Sequence, residues 1–184
     1  MSRDPEIYQE NTLTYDRLIS KQPDLAKVIH EIRPYKHLDV VDLGAGTGRL
    51  STFLAAEANS LWRLDNSKAM LDVLEQKLCQ TPYTNWRTVV ADHKELPIED
   101  ASKDLVVAGW SLCYLASSNV VNWENNLKQM MSEIRRILRS DGTIIILETL
   151  GTGVTKPTRH DYLGLSIPPF ALTTCSKMWM KRAS

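Results

Sequence analysis

No run of apolar residues in this chain approaches the roughly 20 that a membrane-spanning helix needs, and Met1-Ser2-Arg3-Asp4-Pro5-Glu6 holds no apolar core of a signal peptide. A cytoplasmic protein without a membrane partner is expected. Net charge is absent as well: 22 Lys and Arg stand against 22 Asp and Glu, so no overall basic field recommends a nucleic-acid partner. Cysteine is scarce and odd in number, with Cys79, Cys113 and Cys175 far apart and no C-x-x-C pair. That argues against a disulfide framework or a thiolate zinc site and for a reducing compartment. His30, His37, His93 and His160 are scattered singly, so no metal is expected. At 184 residues the chain is long enough for one domain with a real core and too short for two of ordinary size.

What the chain does have is the stretch Val40-Val41-Asp42-Leu43-Gly44-Ala45-Gly46-Thr47-Gly48. A short apolar run, interrupted by one acid, turns through three alternating glycines into Leu50, Phe53 and Leu54 at helical spacing. It reads as strand, tight turn and helix. Glycine lets the backbone take φ > 0 and lets a ligand approach main-chain N–H groups at a helix start, which is the form of a nucleotide pocket. The dinucleotide fingerprint G-x-G-x-x-G is broken, because Arg49 stands where the third glycine belongs. An NAD(P)-dependent oxidoreductase is therefore the less favoured reading.

Taken in order, residues 7–32 suit two amphipathic helices, with Leu13, Leu18, Ile19, Leu25, Val28, Ile29 and Ile32 as their apolar positions. They part near Gln22-Pro23-Asp24, Asp24 is a possible cap, and Pro34 closes the second. Strands are expected at Leu38–Leu43, Ser60–Asp65, Trp86–Ala91, Leu105–Trp110 and Thr143–Leu147. Ser67 is the expected N-cap of a helix carrying Met70, Leu71, Leu74 and Leu78. Leu127, Met130, Met131, Ile134, Ile137 and Leu138 mark another helix, expected to close at Ser140-Asp141-Gly142. Alternating strands and helices imply an α/β fold, a doubly wound, mostly parallel Rossmann-like sheet of about five strands with right-handed crossovers. Asp65, at the tip of the second strand, is placed to accept from the two hydroxyls of a ribose, although a surface aspartate before a helix cap would look the same. Asp92, just after the third strand, can accept from the exocyclic amine of an adenine.

Three strings carry a resemblance. Asp42-Leu43-Gly44-Ala45-Gly46-Thr47-Gly48, Leu64-Asp65-Asn66-Ser67-Lys68-Ala69-Met70-Leu71, and Ala91-Asp92 followed by Leu96-Pro97 and Asp104-Leu105-Val106-Val107 resemble the motifs of class I S-adenosylmethionine-dependent methyltransferases. The likeness covers roughly Val40 to Leu150. It implies S-adenosyl-L-methionine as cofactor, bound by Asp42, Gly44, Ala45, Gly46, Gly48, Asp65, Asn66, Asp92, His93 and Trp110. It implies an N-terminal helical cap over residues 1–37, where Tyr15 either walls the pocket or lies half buried on a solvent-facing helix, and a cofactor-binding core over 38–150. Tyr114 stands where the family often has His, so that residue's role is not carried over.

Methyl transfer from a sulfonium is an in-line displacement with a neutral leaving group, so alignment and exclusion of water matter more than any one side chain. His93, Tyr114, His160 and Asp161 lie in segments where a base could stand, and none is assigned as catalytic. The balanced charge favours a small-molecule methyl acceptor, and a non-catalytic S-adenosylmethionine-binding or scaffold protein is the alternative. Residues 151–184 hold Pro157, Pro168 and Pro169 and no alternating strand pattern, whereas the family adds a helix and two antiparallel strands there. The tail is expected to be irregular, as a lid, a docking segment or a truncated or frame-shifted ending. The last parallel strand would then present an uncovered edge open to self-association.

Overall fold

The structure, a computed structural model, describes residues 11–112 and 121–148. Its strands are β1 Asp39–Leu43, β2 Ser60–Asp65, β3 Trp86–Val90, β4 Lys103–Gly109 and β5 Leu138–Leu147. They form one parallel sheet in the order β3-β2-β1-β4-β5. The central strand is the one the sequence makes apolar on both faces, with Val40 to Leu43 all buried. From β1 the chain runs outward to β2 and β3, then returns to the far side of β1 for β4 and β5. The carboxyl ends of β1 and β4 therefore flank the topological switch point, the place where ligands of open α/β sheets bind.

Helices α1 Thr12–Ile19, α2 Ala26–Ile32, α3 Ser51–Glu57, α4 Lys68–Leu78 and α5 Trp123–Ile137 complete the described fold. On one face of the sheet, Leu127, Met130, Ile134 and Ile137 of α5 pack on Val41, Leu43, Val106 and Ile144. On the other, Ile29 of α2, Leu54 of α3 and Leu71, Leu74 and Leu78 of α4 pack on Val40, Leu61, Leu105 and Val107. Each fully buried leucine or isoleucine in these layers contributes about 1.5–3 kcal/mol of transfer free energy. Local signals agree with the packing: Ser67 Oγ accepts the Met70 N–H at 3.4 Å, and Asp24 Oδ1 accepts the Ala26 N–H at 2.8 Å.

Strands β1, β3 and β4 each stop or start one residue short of the expected Leu38, Ala91 and Trp110, and larger differences occur around α5, β5 and the start of β4. Helix α5 ends at Ile137, and Leu138 passes directly into extended backbone at φ −75° and ψ 138°, so Ser140-Asp141-Gly142 lies within β5 and does not close the helix. The pairings Lys103 with Leu138 and Leu105 with Thr143 enclose an irregular segment of β5, held by Arg139, which reaches Asp104 at 2.5 Å and Asp39 at 3.0 Å. Strand β4 starts at Lys103, before its apolar run, because Lys103 is buried with its ammonium 4.8 Å from the Trp62 ring. In α1, Leu13 and Leu18 are exposed while Thr12 and Ile19 are buried; the helix faces α4 through Asp16, which pairs with Lys77.

Tyr15 is half buried. Among the described residues β5 pairs only with β4, and no helix is long and apolar enough to cross a membrane. Tyr114 and the expectations for residues 149–184 lie outside the described residues.

Candidate functional site

The loop after β1 takes positive φ at Gly44 (77°), Gly46 (52°) and Gly48 (94°). Two of these glycines are required by the protein's own packing. A Cβ on Gly44 would stand 2.2 Å from Ser111 Cβ, and one on Gly48 would stand 2.2 Å from Leu74 Cδ1. Gly46 differs: a Cβ there meets nothing within 4 Å, so this backbone faces open space. Its N–H donates to Asp65 Oδ2 at 2.9 Å, and Asp65 Oδ1 accepts the Ser67 N–H at 2.8 Å. One carboxylate thus joins the glycine loop to the start of α4, and each of its oxygens retains capacity for a further donor. Three further loop N–H groups turn inward, Gly44 and Ala45 to Leu64 O at 2.8 and 2.9 Å and Gly48 to Ala45 O at 2.9 Å.

Behind the loop, Asp42 is enclosed in protein at 1 % exposure. Its Oδ2 accepts the Ser51 hydroxyl at 2.5 Å, and its Oδ1 has no partner. Burial pushes the Asp42 carboxyl up to about 7, with Asp65 adding to the shift while the Ser51 hydroxyl and the Arg63 charge oppose it. Arg63 is its neighbour in register on β2. This arginine is wholly buried, lies over the Trp86 ring at 4.1 Å and donates to the Thr88 hydroxyl; burial lowers its guanidinium to about 10.

Around the open side, His93 is buried beside Gly44, its Cε1 3.4 Å from where a Gly44 Cβ would stand. Burial pulls its pKa down against the charges of Asp65 and Asp92, so the ring is neutral at pH 7, and its Nε2 has no partner. Asp92 is exposed, with Oδ1 accepting the Lys94 N–H at 2.9 Å and Oδ2 3.4 Å from the Lys94 ammonium. Asn66 is exposed at the tip of β2. Trp110 follows β4 with φ 53°, donates its N–H to Leu147 O at 2.8 Å and carries the Arg49 guanidinium 3.9 Å from its ring centre.

The fold thus brings Gly44 to Gly48, Asp65 and His93 together at the β1 tip, sets Asn66 and Asp92 at the exposed ends of β2 and β3, sets Trp110 at the end of β4, and encloses Asp42. Sequence reasoning missed Ser111, whose hydroxyl donates to Leu43 O at 3.0 Å, and Lys77, which donates to Thr47 O at 2.8 Å. Arg49 was legible only as a missing glycine; its stack on Trp110 has no signal in the spacing. Among the described residues no group of three or more His, Cys, Asp or Glu could hold a metal ion.

Residues 41–146, more than half of the chain, match the family described as "Methyltransferase domain". The chain is 30 % identical over 144 residues to a malonyl-[acyl-carrier protein] O-methyltransferase of Hamiltonella defensa subsp. Acyrthosiphon pisum (strain 5AT), covering 78 % of this chain and 50 % of that protein. It is 33 % identical over 148 residues to a demethylmenaquinone methyltransferase of Clavibacter sepedonicus, covering 77 % of this chain and 56 % of that protein. This chain spans about half the length of these relatives. Its fold is similar to the Haemonchus contortus phosphoethanolamine N-methyltransferase 1 solved with phosphoethanolamine and S-adenosylhomocysteine, with TM-score 0.60 and 21 % identity over 98 % of this chain and 40 % of that one. A parallel sheet with its glycine turn at the switch point, the motif strings and the matched span agree, and the chain belongs to the class I S-adenosylmethionine-dependent methyltransferase family.

Proposed function

We propose that this chain binds S-adenosyl-L-methionine at the β1 tip and transfers its methyl group to a small-molecule acceptor. The observation that carries the reading is Gly46, the one loop glycine whose missing side chain leaves open space, with its N–H fixed by the Asp65 carboxylate. The residues fit the cofactor: open backbone lies beside an acid that can take two more donors, and a neutral, buried His93 with an unpartnered Nε2 adjoins them. In this reading Asp65 holds the ribose hydroxyls and Asp92, with its exposed carboxylate, accepts from the adenine amine. Asn66 and Trp110 line the two rims. Asp42 does not touch the cofactor; through Ser51 it braces the loop from behind. In the same reading residues 38–150 are assigned to the cofactor-binding core and residues 1–37 to a cap over it, to which the described helices α1 and α2 belong.

S-adenosylmethionine supplies a methyl carbon already activated by a sulfonium. What remains for the chain is to orient it and keep water away. The rigid loop, pinned at Gly44 by Ser111 and at Gly48 by Leu74, performs the first task. No side chain is assigned as a base. A small acceptor is supported by the balanced charge and by relatives named for demethylmenaquinone and phosphoethanolamine.

The test is incubation with methyl-labelled S-adenosylmethionine and a whole-cell extract, followed by separation by size. Label in the low-mass fraction supports the reading. Label confined to protein or nucleic acid, or no transfer at all, contradicts it.

A further inference from the structure

Lys77 sits on the last turn of α4, and its ammonium makes two contacts that no spacing rule foresees. It donates to the Thr47 carbonyl, inside the glycine loop, at 2.8 Å. It also pairs with Asp16 on α1. Both partners are partly buried, Asp16 with 18 % and Lys77 with 34 % of the side chain exposed. One turn earlier on α4, Leu74 fills the space beside Gly48. Helix α4 therefore supports the loop at two successive residues, through Leu74 at Gly48 and through Lys77 at Thr47. Meanwhile the Gly48 N–H, the other half of the Thr47–Gly48 peptide, is bonded to Ala45 O at 2.9 Å. With both ends of that peptide held, its plane cannot rotate, and the adjoining Gly46 backbone keeps its direction toward the open side.

We propose that Lys77 is a positioning residue that couples the docking of α1 to the shape of the glycine loop, so that α1 and the cofactor site share one equilibrium. The physical cause is that one cation serves both partners, and Asp16 holds it where the Thr47 carbonyl can accept from it. While Asp16 holds the ammonium at this depth, the Thr47 carbonyl receives a charge-assisted bond, stronger than a neutral one. When α1 leaves, the long side chain regains its rotamer freedom and its hydration, and the carbonyl bond weakens. By reciprocity, a ligand that stabilises the loop must tighten α1 by the same factor. The coupling rests on the proposed cofactor reading only for the identity of that ligand.

The experiment uses the full chain and the variants Asp16→Asn, Lys77→Met and Lys77→Arg, with thermal melts to establish that each is folded. Without ligand, amide hydrogen exchange at Gly46 and Gly48 is expected to be faster in Asp16→Asn and Lys77→Met than in wild type, and close to wild type in Lys77→Arg. A change at the loop from Asp16→Asn is the decisive sign, since position 16 lies on another helix. With S-adenosylhomocysteine, Asp16→Asn is expected to bind about five-fold more weakly, the low end of ordinary coupling between sites, and the ligand is expected to slow exchange in α1 of the wild type and Lys77→Arg but not of Asp16→Asn or Lys77→Met. Loop exchange in Asp16→Asn equal to wild type overturns the proposal. If the wild type itself fails to bind S-adenosylhomocysteine, the cofactor reading fails, while the ligand-free exchange still decides the coupling.

Discussion

Asp42 shows how one buried carboxyl sets the conditions under which the loop is stable. Burial raises its folded pKa from the ordinary carboxylate range to about 7, so the folded state binds the proton more tightly than the unfolded chain. The sign follows from linkage: the stabilisation is fully present below about pH 4 and is lost as pH rises to about 7. Asp42→Asn keeps an oxygen to accept the Ser51 hydroxyl and removes the titration. Melting temperatures measured from pH 4 to 8 should therefore show the wild type losing ground to Asp42→Asn across that window and running parallel above it. Parallel curves throughout would mean that the carboxyl stays ionised, paired with Arg63.

At the scale of elements, the contact between the glycine loop and α4 is the joint on which the site depends. Gly48→Ala places a methyl 2.2 Å from Leu74 Cδ1 and puts a non-glycine residue at φ 94°. The expected loss is about 1–3 kcal/mol from overpacking together with about 1–2 kcal/mol from the left-handed backbone. Denaturant unfolding of Gly48→Ala in a Leu74→Ala background separates the two, because the shorter side chain relieves the clash and leaves the backbone cost. Full rescue, or none, would contradict this division. Much of this level could be read from the chain: β2 ends at Asp65 as expected because an apolar run there meets an acid and a cap, and α5 carries a clean apolar stripe. The rest depended on contacts between distant positions. Ser140-Asp141-Gly142 has the composition of a helix stop, yet the extended path of Leu138 and the pairs of Arg139 with Asp39 and Asp104 draw it into β5. Lys103 and Asp104 look like loop residues until Trp62 and Arg139 are placed beside them. In the site, the three glycines were legible as a group, but their division into two packing positions and one open position rests on Ser111 and Leu74, both distant in sequence.

For the whole molecule, the order β3-β2-β1-β4-β5 brings every element of the proposed pocket to one end of the sheet. The glycine loop leaves β1, Asp65 closes β2, Asp92 and His93 follow β3, and Trp110 follows β4. The central claim is that Gly46 and Asp65 together hold the cofactor, and titration calorimetry with S-adenosylhomocysteine tests it on the wild type, Gly46→Val and Asp65→Ala, each checked by a thermal melt. The account predicts binding by the wild type and none by Gly46→Val, whose side chain fills the open space at the loop. Asp65→Ala should weaken binding by about 1–3 kcal/mol, the range for lost hydrogen bonds to a charged group. Folded variants that bind as tightly as the wild type would contradict it.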